Sequence, residues 1–184
     1  MHKYISIDIE TTGLDHNNHQ IIEFAAVLPN GSHFTKFVVH PEYRGSAIAI
    51  AMNKRIFDAL SKFQTEKLQA GPGTPYVHAA ELYYEFRHWL EANGIIEQAH
   101  PIGKNYSGFD AQFLRTLNCE FPTLFHYRAL DIGSMYATDS GVPGLKELVD
   151  KWPEVVQHIP GELHDALYDA RVCMAFAKHN VGGL

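Results

Sequence analysis

The fold is decided by an alternating stretch near the start of the sequence, Lys3-Tyr4-Ile5-Ser6-Ile7-Asp8-Ile9-Glu10. Isoleucine occupies every second position, and the residues between are polar and end in two acids. Because successive side chains of a strand point to opposite faces, this alternation predicts a β-strand with one apolar face and one face that carries Asp8 and Glu10. Carboxylates this close repel each other, so the strand end is either solvated or holds a cation.

The segments around this strand predict a sheet flanked by helices. Residues 20–28 and 33–40 are predicted strands on either side of the turn signal Pro29-Asn30-Gly31, which gives an antiparallel meander. Residues 98–103 predict a fourth strand, and residues 129–135 predict a further strand or bridge. Apolar residues at helical spacing predict helices over 56–68, 79–90, 108–117, 145–152 and 163–179. This order of elements indicates a mixed sheet of the α/β or α+β class.

The composition excludes several classes of protein. The chain has 184 residues, 46% hydrophobic and 20% charged, which is typical of one globular domain, here residues 1–184. No apolar run approaches the roughly 18 residues that span a bilayer, so we expect a cytoplasmic protein with no membrane partner. Two cysteines cannot form a disulfide framework. The net charge of −6 disfavours wrapping of a long nucleic acid, but it leaves room for binding a short end.

Asp169 lies where an apolar side chain is expected. It falls inside the apolar stripe of the last predicted helix, three residues after Ala166 and four before Cys173. A carboxylate on a packed face costs several kcal/mol if it stays ionised and unpaired, so it needs a partner. The partner is either a cation or an arginine, for which Arg115 and Arg171 are candidates.

Asp110 repeats the anomaly on an earlier helix. Phe113, Leu114 and Leu117 follow it at helical spacing and place it on the core side. The alternative is a structural cap, because Ser107 to Asp110 matches the S-x-x-D capping pattern; capping and metal binding are compatible at a helix start.

His164 precedes Asp169 by five residues, about 140° away on a helix, so the two cannot share a helical face. Pro160-Gly161 just upstream places His164 at the mouth of the helix, where an imidazole with a pKa near ~6.5 can accept a proton from water. The alternative is an ordinary surface histidine, one of 12 in the chain.

Four carboxylates from three separate elements, two of them on apolar faces, are best explained by cations at their centre. Oxygen ligands without thiolates favour Mg²⁺ or Mn²⁺. Two such ions about 3.5–4 Å apart are a recurring device for phosphodiester cleavage.

The same residues resemble the motifs of DEDDh-type 3′-5′ exonucleases of the ribonuclease H-like superfamily, which include oligoribonucleases and the proofreading subunits of polymerases. The three motifs occur in family order as Asp8-Ile9-Glu10-Thr11-Thr12-Gly13-Leu14, Asn105-Tyr106-Ser107-Gly108-Phe109-Asp110 and His164-Asp165-Ala166-Leu167-Tyr168-Asp169. The resemblance implies a ribonuclease H-like α/β fold whose mixed five-stranded sheet combines the N-terminal antiparallel meander with parallel strands.

The resemblance also implies a mechanism. Asp8, Glu10, Asp110 and Asp169 would bind two divalent ions, with His164 as general base. The implied reaction releases nucleoside 5′-monophosphates from the 3′ ends of single-stranded DNA or short RNA. The resemblance does not decide whether the chain has a polymerase partner or forms a homodimer.

Substrate contacts are implied for Thr12, through main chain or hydroxyl, and for Leu14, as an apolar contact to a base. The alternatives are a strand-end turn and simple packing. Asn105 and Phe109 are further candidates, Phe109 by stacking unless it lies in the core. Other candidates for nucleic-acid contact are Tyr106, Lys104, Arg115, Arg128, Lys146 and Arg171.

Two other functions remain open at this point. The adjacent pair His164-Asp165 also occurs in His-Asp phosphohydrolases, which are all-helical and act on nucleotides, although the predicted strands disfavour them. A catalytically silent nucleic-acid or polymerase-binding module would usually have lost one of the acids, and none is lost here.

Overall fold

The computed structural model describes residues 4–182, and its central feature is a six-stranded mixed sheet. The strands follow the order β4-β3-β2-β1-β5-β6 across the sheet. Their bounds are β1 Tyr4–Thr11, β2 Ile21–Val27, β3 His33–Val39, β4 Tyr76–His78, β5 His100–Gly103 and β6 Leu130–Asp131. β1, β2 and β3 form the expected antiparallel meander, whereas β3–β4, β1–β5 and β5–β6 are parallel pairs. The predicted α/β class is therefore confirmed.

The sheet has one strand more than the five expected. The additional strand, β4, contains only three residues and follows the Pro- and Gly-rich segment 71–75, so it has no alternating pattern to reveal it. The prediction for 129–135 was also too long. Only Leu130–Asp131 pair with β5, and Asp131 then caps a short helix by accepting a hydrogen bond from the Ser134 amide. Lys3, placed at the start of the first strand, lies outside the described residues.

Eight α-helices of the described residues surround the sheet. Their bounds are α1 Ala47–Met52, α2 Lys54–Thr65, α3 Leu82–Ala92, α4 Asp110–Leu117, α5 Ile132–Met135, α6 Leu145–Lys151, α7 Pro153–Val156 and α8 Ala166–Asn180, with a 3-10 turn at Phe121–Leu124. The predicted helices over 79–90, 108–117 and 163–179 start two or three residues too early. The start of α8 matters for function, because it places His164 outside the helix.

The two faces of β1 pack against different helices. Ile5, Ile7 and Ile9 belong to a core layer that also contains side chains of α3 and α4. The other face packs against α8, whose buried side chains form a second core layer with parts of β2 and β5. Asp8 and Glu10 therefore face α8, at the end of the strand where α8 begins. None of the helices within residues 4–182 has the length and apolar character needed to cross a bilayer.

Candidate active site

The two acids of β1 lie at its carboxyl end, on the face that α8 covers. In the antiparallel register Asp8 is opposite Ala25 and Glu10 is opposite Glu23. The register shifts between Glu10 and Thr11, and such an irregularity turns the chain away from the sheet at this point. Both acids are half-buried. Asp8 and Glu10 therefore lie on the same face of β1, as predicted.

Asp110 enters from the first position of α4 and is 4% exposed, in agreement with its predicted place on the core side. The amides of Asp110 itself and of Ile9 in β1 act to lower the pKa of this carboxyl group, against the larger effect of burial. The capping alternative is wrong, because the cap residue of α4 is Phe109 and no side chain makes a capping hydrogen bond there. Asp110 thus lies close enough to Asp8 for its charge to raise the pKa of Asp8.

Asp169 enters from the first turn of α8 and is 7% exposed. Its Oδ2 accepts a hydrogen bond from the His164 amide at 3.2 Å, whereas its buried Oδ1 has no hydrogen-bond partner among the described residues. The arginine alternative is not realised, since neither Arg115 nor Arg171 forms an ion pair with it in residues 4–182. A buried carboxylate oxygen without a partner indicates a missing ligand.

His164 lies two residues before α8, just outside the helix at whose mouth it was expected, with an exposed side chain and a left-handed backbone, φ 68°. One ring nitrogen of His164 and one carboxylate oxygen each of Glu10 and Asp169 all lie within 4.8 Å of one another. The imidazole therefore faces the acids across the opening of the site.

The pKa values of the acids are raised chiefly by burial and, for Asp8, Glu10 and Asp169, also by neighbouring negative charges. Burial raises the pKa of Asp8 well above its ordinary value, and the charges of Asp110, Asp169 and Glu10 raise it further. Burial and the charge of Asp169 raise the pKa of Glu10 to about 8. Burial likewise raises the pKa values of Asp110 and Asp169 to about 7. These four residues are called the acid cluster below.

The acid cluster fits divalent cations. Within residues 4–182 no lysine or arginine forms an ion pair with any of its members, and Asp169 Oδ1 is free to coordinate. Carboxylate oxygens with one nearby imidazole are ligands suited to Mg²⁺ or Mn²⁺. A bound cation would favour the ionised form of each acid and so offset the effect of burial and of like charges on these pKa values.

Sequence reasoning missed a fifth acid beside the cluster. Glu23 of β2 is 3% exposed and pairs with Arg55 of α2 through Nη1–Oε1 and Nη2–Oε2 distances of 3.1 and 2.6 Å. The available signal was a single charge inside the apolar run 20–28, an anomaly of the same kind as Asp169.

The loop after β1 presents one residue to solvent and buries another. Leu14 is 86% exposed, which suits a contact with a substrate base and excludes the packing alternative. Thr12 is fully buried, and its hydroxyl accepts from the Gln20 amide and donates to the Arg44 carbonyl. The Thr12 amide donates to the Gln20 carbonyl, and the Thr12 carbonyl accepts from the Ser46 amide. Thr12 thus fixes the loop that carries Leu14.

The residues of the second motif differ in accessibility. Asn105 is exposed, with φ 61°, and Phe109 is half-buried with its ring 4.9 Å from that of Phe113. Tyr106 is 6% exposed inside the core, so the suggestion that it stacks on bases is wrong. Among the basic candidates, Arg115, Arg128 and Lys146 are exposed, and Lys104 and Arg171 are half-buried.

The family of the chain follows from a match to a family model. Residues 5–177 match the RNase_T model, described as exonuclease, and these residues include all three motifs. The chain belongs to this exonuclease family. The resemblance drawn from the acids and His164 is therefore confirmed, and so is the expectation of a 3′-to-5′ exonuclease.

Bacterial oligoribonucleases resemble this exonuclease over almost its whole length. The oligoribonuclease of Alkalilimnicola ehrlichii is 26% identical over 189 residues, which cover 97% of this chain and 87% of that enzyme. The oligoribonuclease of Pseudomonas fluorescens is 29% identical over 182 residues, which cover 95% and 92% of the two chains.

Solved structures share the fold of this exonuclease at low sequence identity. The Mg²⁺- and Mn²⁺-bound form of S. pombe Pop2p superposes with a TM-score of 0.68 at 15% identity, covering 98% of this chain and 84% of Pop2p. E. coli exonuclease I in complex with a 5cy-dT13 oligonucleotide gives 0.63 at 15% identity, covering 95% of this chain but only 39% of exonuclease I. The ribonuclease H-like fold is thereby confirmed, and the all-helical His-Asp alternative is wrong.

Proposed function

We propose that this exonuclease removes 5′-mononucleotides from the 3′ ends of short RNA and single-stranded DNA at a two-cation centre. The acid cluster, Asp8, Glu10, Asp110 and Asp169, would hold two Mg²⁺ or Mn²⁺ ions, within one domain formed by residues 1–184. The observation that carries the proposal is the cluster of four acids with raised pKa values, none of which forms an ion pair with a lysine or arginine among residues 4–182. The cytoplasmic location stays a prediction.

When bound, the cations would lower the pKa of a water molecule and offset the charge that develops on the phosphate. His164 would take the proton from that water, because its ring is exposed and faces Glu10 and Asp169. Asp169 Oδ2 binds the backbone amide of His164 and not its ring. The ring nitrogens therefore stay available to accept a proton from the water.

Exposed apolar side chains of the loop after β1 and of α1 support a terminal nucleotide as substrate. Leu14 and two side chains of α1, Ile48 and Met52, are 86%, 75% and 61% exposed. α1 is joined to the Leu14 loop, since the Ser46 amide donates to the Thr12 carbonyl at 2.8 Å. Apolar side chains next to a charged site suit the flat face of a base above its phosphate.

Three observations favour short RNA. The net charge is −6, so the chain lacks the excess of cations that would follow a long strand. The relatives that match almost the whole chain are named oligoribonucleases, whereas the chain spans about two fifths of exonuclease I.

The direct test is digestion of 5′-labelled RNA and DNA oligomers of 2, 5 and 20 nucleotides with Mg²⁺, Mn²⁺ or a chelator. We expect ladders that shorten from the 3′ end only when a cation is present, with the fastest turnover on the shortest RNA. Equal activity in the chelator would overturn the two-cation centre, and complete inertness on all substrates would favour a binding module.

A second test concerns Leu14. Leu14→Ala should raise KM about 5- to 30-fold with kcat little changed, because it removes an apolar contact worth roughly 1–2 kcal/mol from an exposed position. Val142→Ala, at another exposed site, is the matched control. An unchanged KM in Leu14→Ala would remove this residue from the substrate site.

A further inference from the structure

The ion pair of Glu23 and Arg55 lies directly beside the acid cluster. Glu23 is opposite Glu10 in the register of β1 and β2, and both of its oxygens bind the guanidinium of Arg55. A bidentate pair fixes the orientation of both groups, because the planar guanidinium matches two carboxylate oxygens. The Arg55 Cζ also lies 5.6 Å from the ring centre of Phe37, which covers one face of the guanidinium.

The same ion pair holds the start of α8. Glu23 Oε2 accepts a hydrogen bond from the Ala166 amide at 3.1 Å, in a buried position. Asp165 caps α8 by accepting from the Tyr168 amide at 3.0 Å, and its other oxygen lies 3.5 Å from Arg55 Nη2. The first amides of a helix have no partners within the helix. Here two of them bind carboxylates that face one guanidinium.

The start of α2, the helix that carries Arg55, is also bound to the sheet. Asn53, two residues before it, is 6% exposed and donates from Nδ2 to the Thr11 carbonyl at 3.0 Å. Since Thr11 ends β1, the start of α2 is fixed to the strand that carries Asp8 and Glu10. The ion pair therefore connects β1, β2, α2 and α8.

His164 depends on these anchors for its orientation. Its left-handed backbone costs about 1 kcal/mol or more for a residue other than glycine, so the surrounding structure has to hold it. Its amide binds Asp169, and the two residues after it are bound through Glu23 and Arg55. Its imidazole forms no hydrogen bond with another residue of the range 4–182, so the backbone sets the direction from which the ring enters the site.

We infer that Glu23 and Arg55 are positioning residues that hold His164 in the orientation required for proton abstraction. The inference rests on the function proposed above. If Arg55 served only to neutralise Glu23, its loss would leave the orientation of His164 unchanged. The inference predicts instead that turnover falls because His164 is displaced.

The first test uses Arg55→Lys, which keeps the charge and removes the bidentate geometry. We expect kcat to fall about 10- to 100-fold, since a displacement of about 1 Å at a reacting group has an effect of that size, with KM within twofold of wild type. Arg87→Lys is the matched control, because Arg87 forms an exposed ion pair with Glu91 on α3. An increase in KM with kcat unchanged would overturn the inference.

A double-mutant cycle separates positioning from general damage. If Arg55 acts through His164, Arg55→Lys should change kcat less than twofold in a His164→Asn background, because residues that act as one unit are not additive. The same 10- to 100-fold loss in both backgrounds would overturn the inference. Glu23→Gln, which keeps an oxygen for the Ala166 amide, provides a second variant if Arg55→Lys folds poorly.

A readout without turnover separates this inference from the proposed function. In the metal-free protein, Arg55→Lys and Glu23→Gln should speed the hydrogen exchange of the Ala166 and Tyr168 amides and leave the Val172 amide unchanged. Unchanged exchange at all three amides would overturn the positioning role. An inactive wild type that still shows the faster exchange in both variants would overturn the exonuclease mechanism and keep the structural role of the pair.

Discussion

Asp8 has the most crowded electrostatic environment of the acid cluster. Burial and the charges of four other acids all raise its pKa. We expect a carboxylate in this position to favour a bound cation and to be unfavourable without one. Stability and activity are therefore expected to oppose each other at position 8.

We predict that Asp8→Asn lowers kcat by about 1000-fold, as expected when one preorganised charge is removed from a reacting centre. In the presence of a chelator its melting temperature should equal or exceed that of wild type, because one repelling charge is gone. Circular dichroism melts and the oligomer assay measure both effects. Asp58→Asn, at an exposed ion pair with Lys54, is the control. Near-normal turnover in Asp8→Asn would exclude Asp8 from the mechanism.

The residues of the acid cluster could be predicted from two kinds of local signal. Asp8 and Glu10 share a strand face, and Asp110 and Asp169 interrupt apolar stripes. Glu23 breaks a pattern too, but its meaning depends on Arg55, which lies 32 positions away along the chain. A contact of that kind arises from the tertiary fold and leaves no mark in local spacing.

At the level of elements, periodicity identified the long strands and helices, and it failed for the short ones. β4 has three residues and no alternation, so what defines it is pairing with β3. The segment before β4 is held by Lys36, whose Nζ donates to the carbonyls of Gly71 and Thr74 and pairs with Glu85 at 3.0 Å. These are long-range contacts, which sequence patterns do not encode.

We predict that Lys36→Ala lowers the free energy of unfolding by about 3 kcal/mol, because it leaves Glu85 and two carbonyl groups unpaired in a largely buried position. Lys54→Ala, which removes an exposed pair, should cost no more than about 0.5 kcal/mol. Urea unfolding measures both values. Since Lys36 lies outside the acid cluster, kcat of the folded variant should stay normal, and an equal cost in the two variants would contradict the prediction.

For the whole molecule, the raised pKa values predict an unusual dependence of stability on pH. Between about pH 4 and pH 8 the folded chain keeps protons on Glu10, Asp110 and Asp169 that the unfolded chain has already lost. Stability of the metal-free protein should therefore fall as the pH rises through this window.

Melts of the metal-free protein from pH 5 to pH 8 test this expectation. The melting temperature should decrease toward pH 8, and saturating Mg²⁺ or Mn²⁺ should restore it and release protons. In Asp8→Asn the decrease should be smaller. A metal-free melting temperature that rises over this range would contradict the raised pKa values.

The acid cluster draws its members from positions 8, 10, 110 and 169, and β1 lies in the middle of the sheet although it comes first in the chain. During synthesis, β1 leaves the ribosome long before its parallel neighbour β5 and the start of α8. A partly translated chain thus cannot assemble the cluster. Nuclease activity is therefore expected only after the start of α8 has been synthesised.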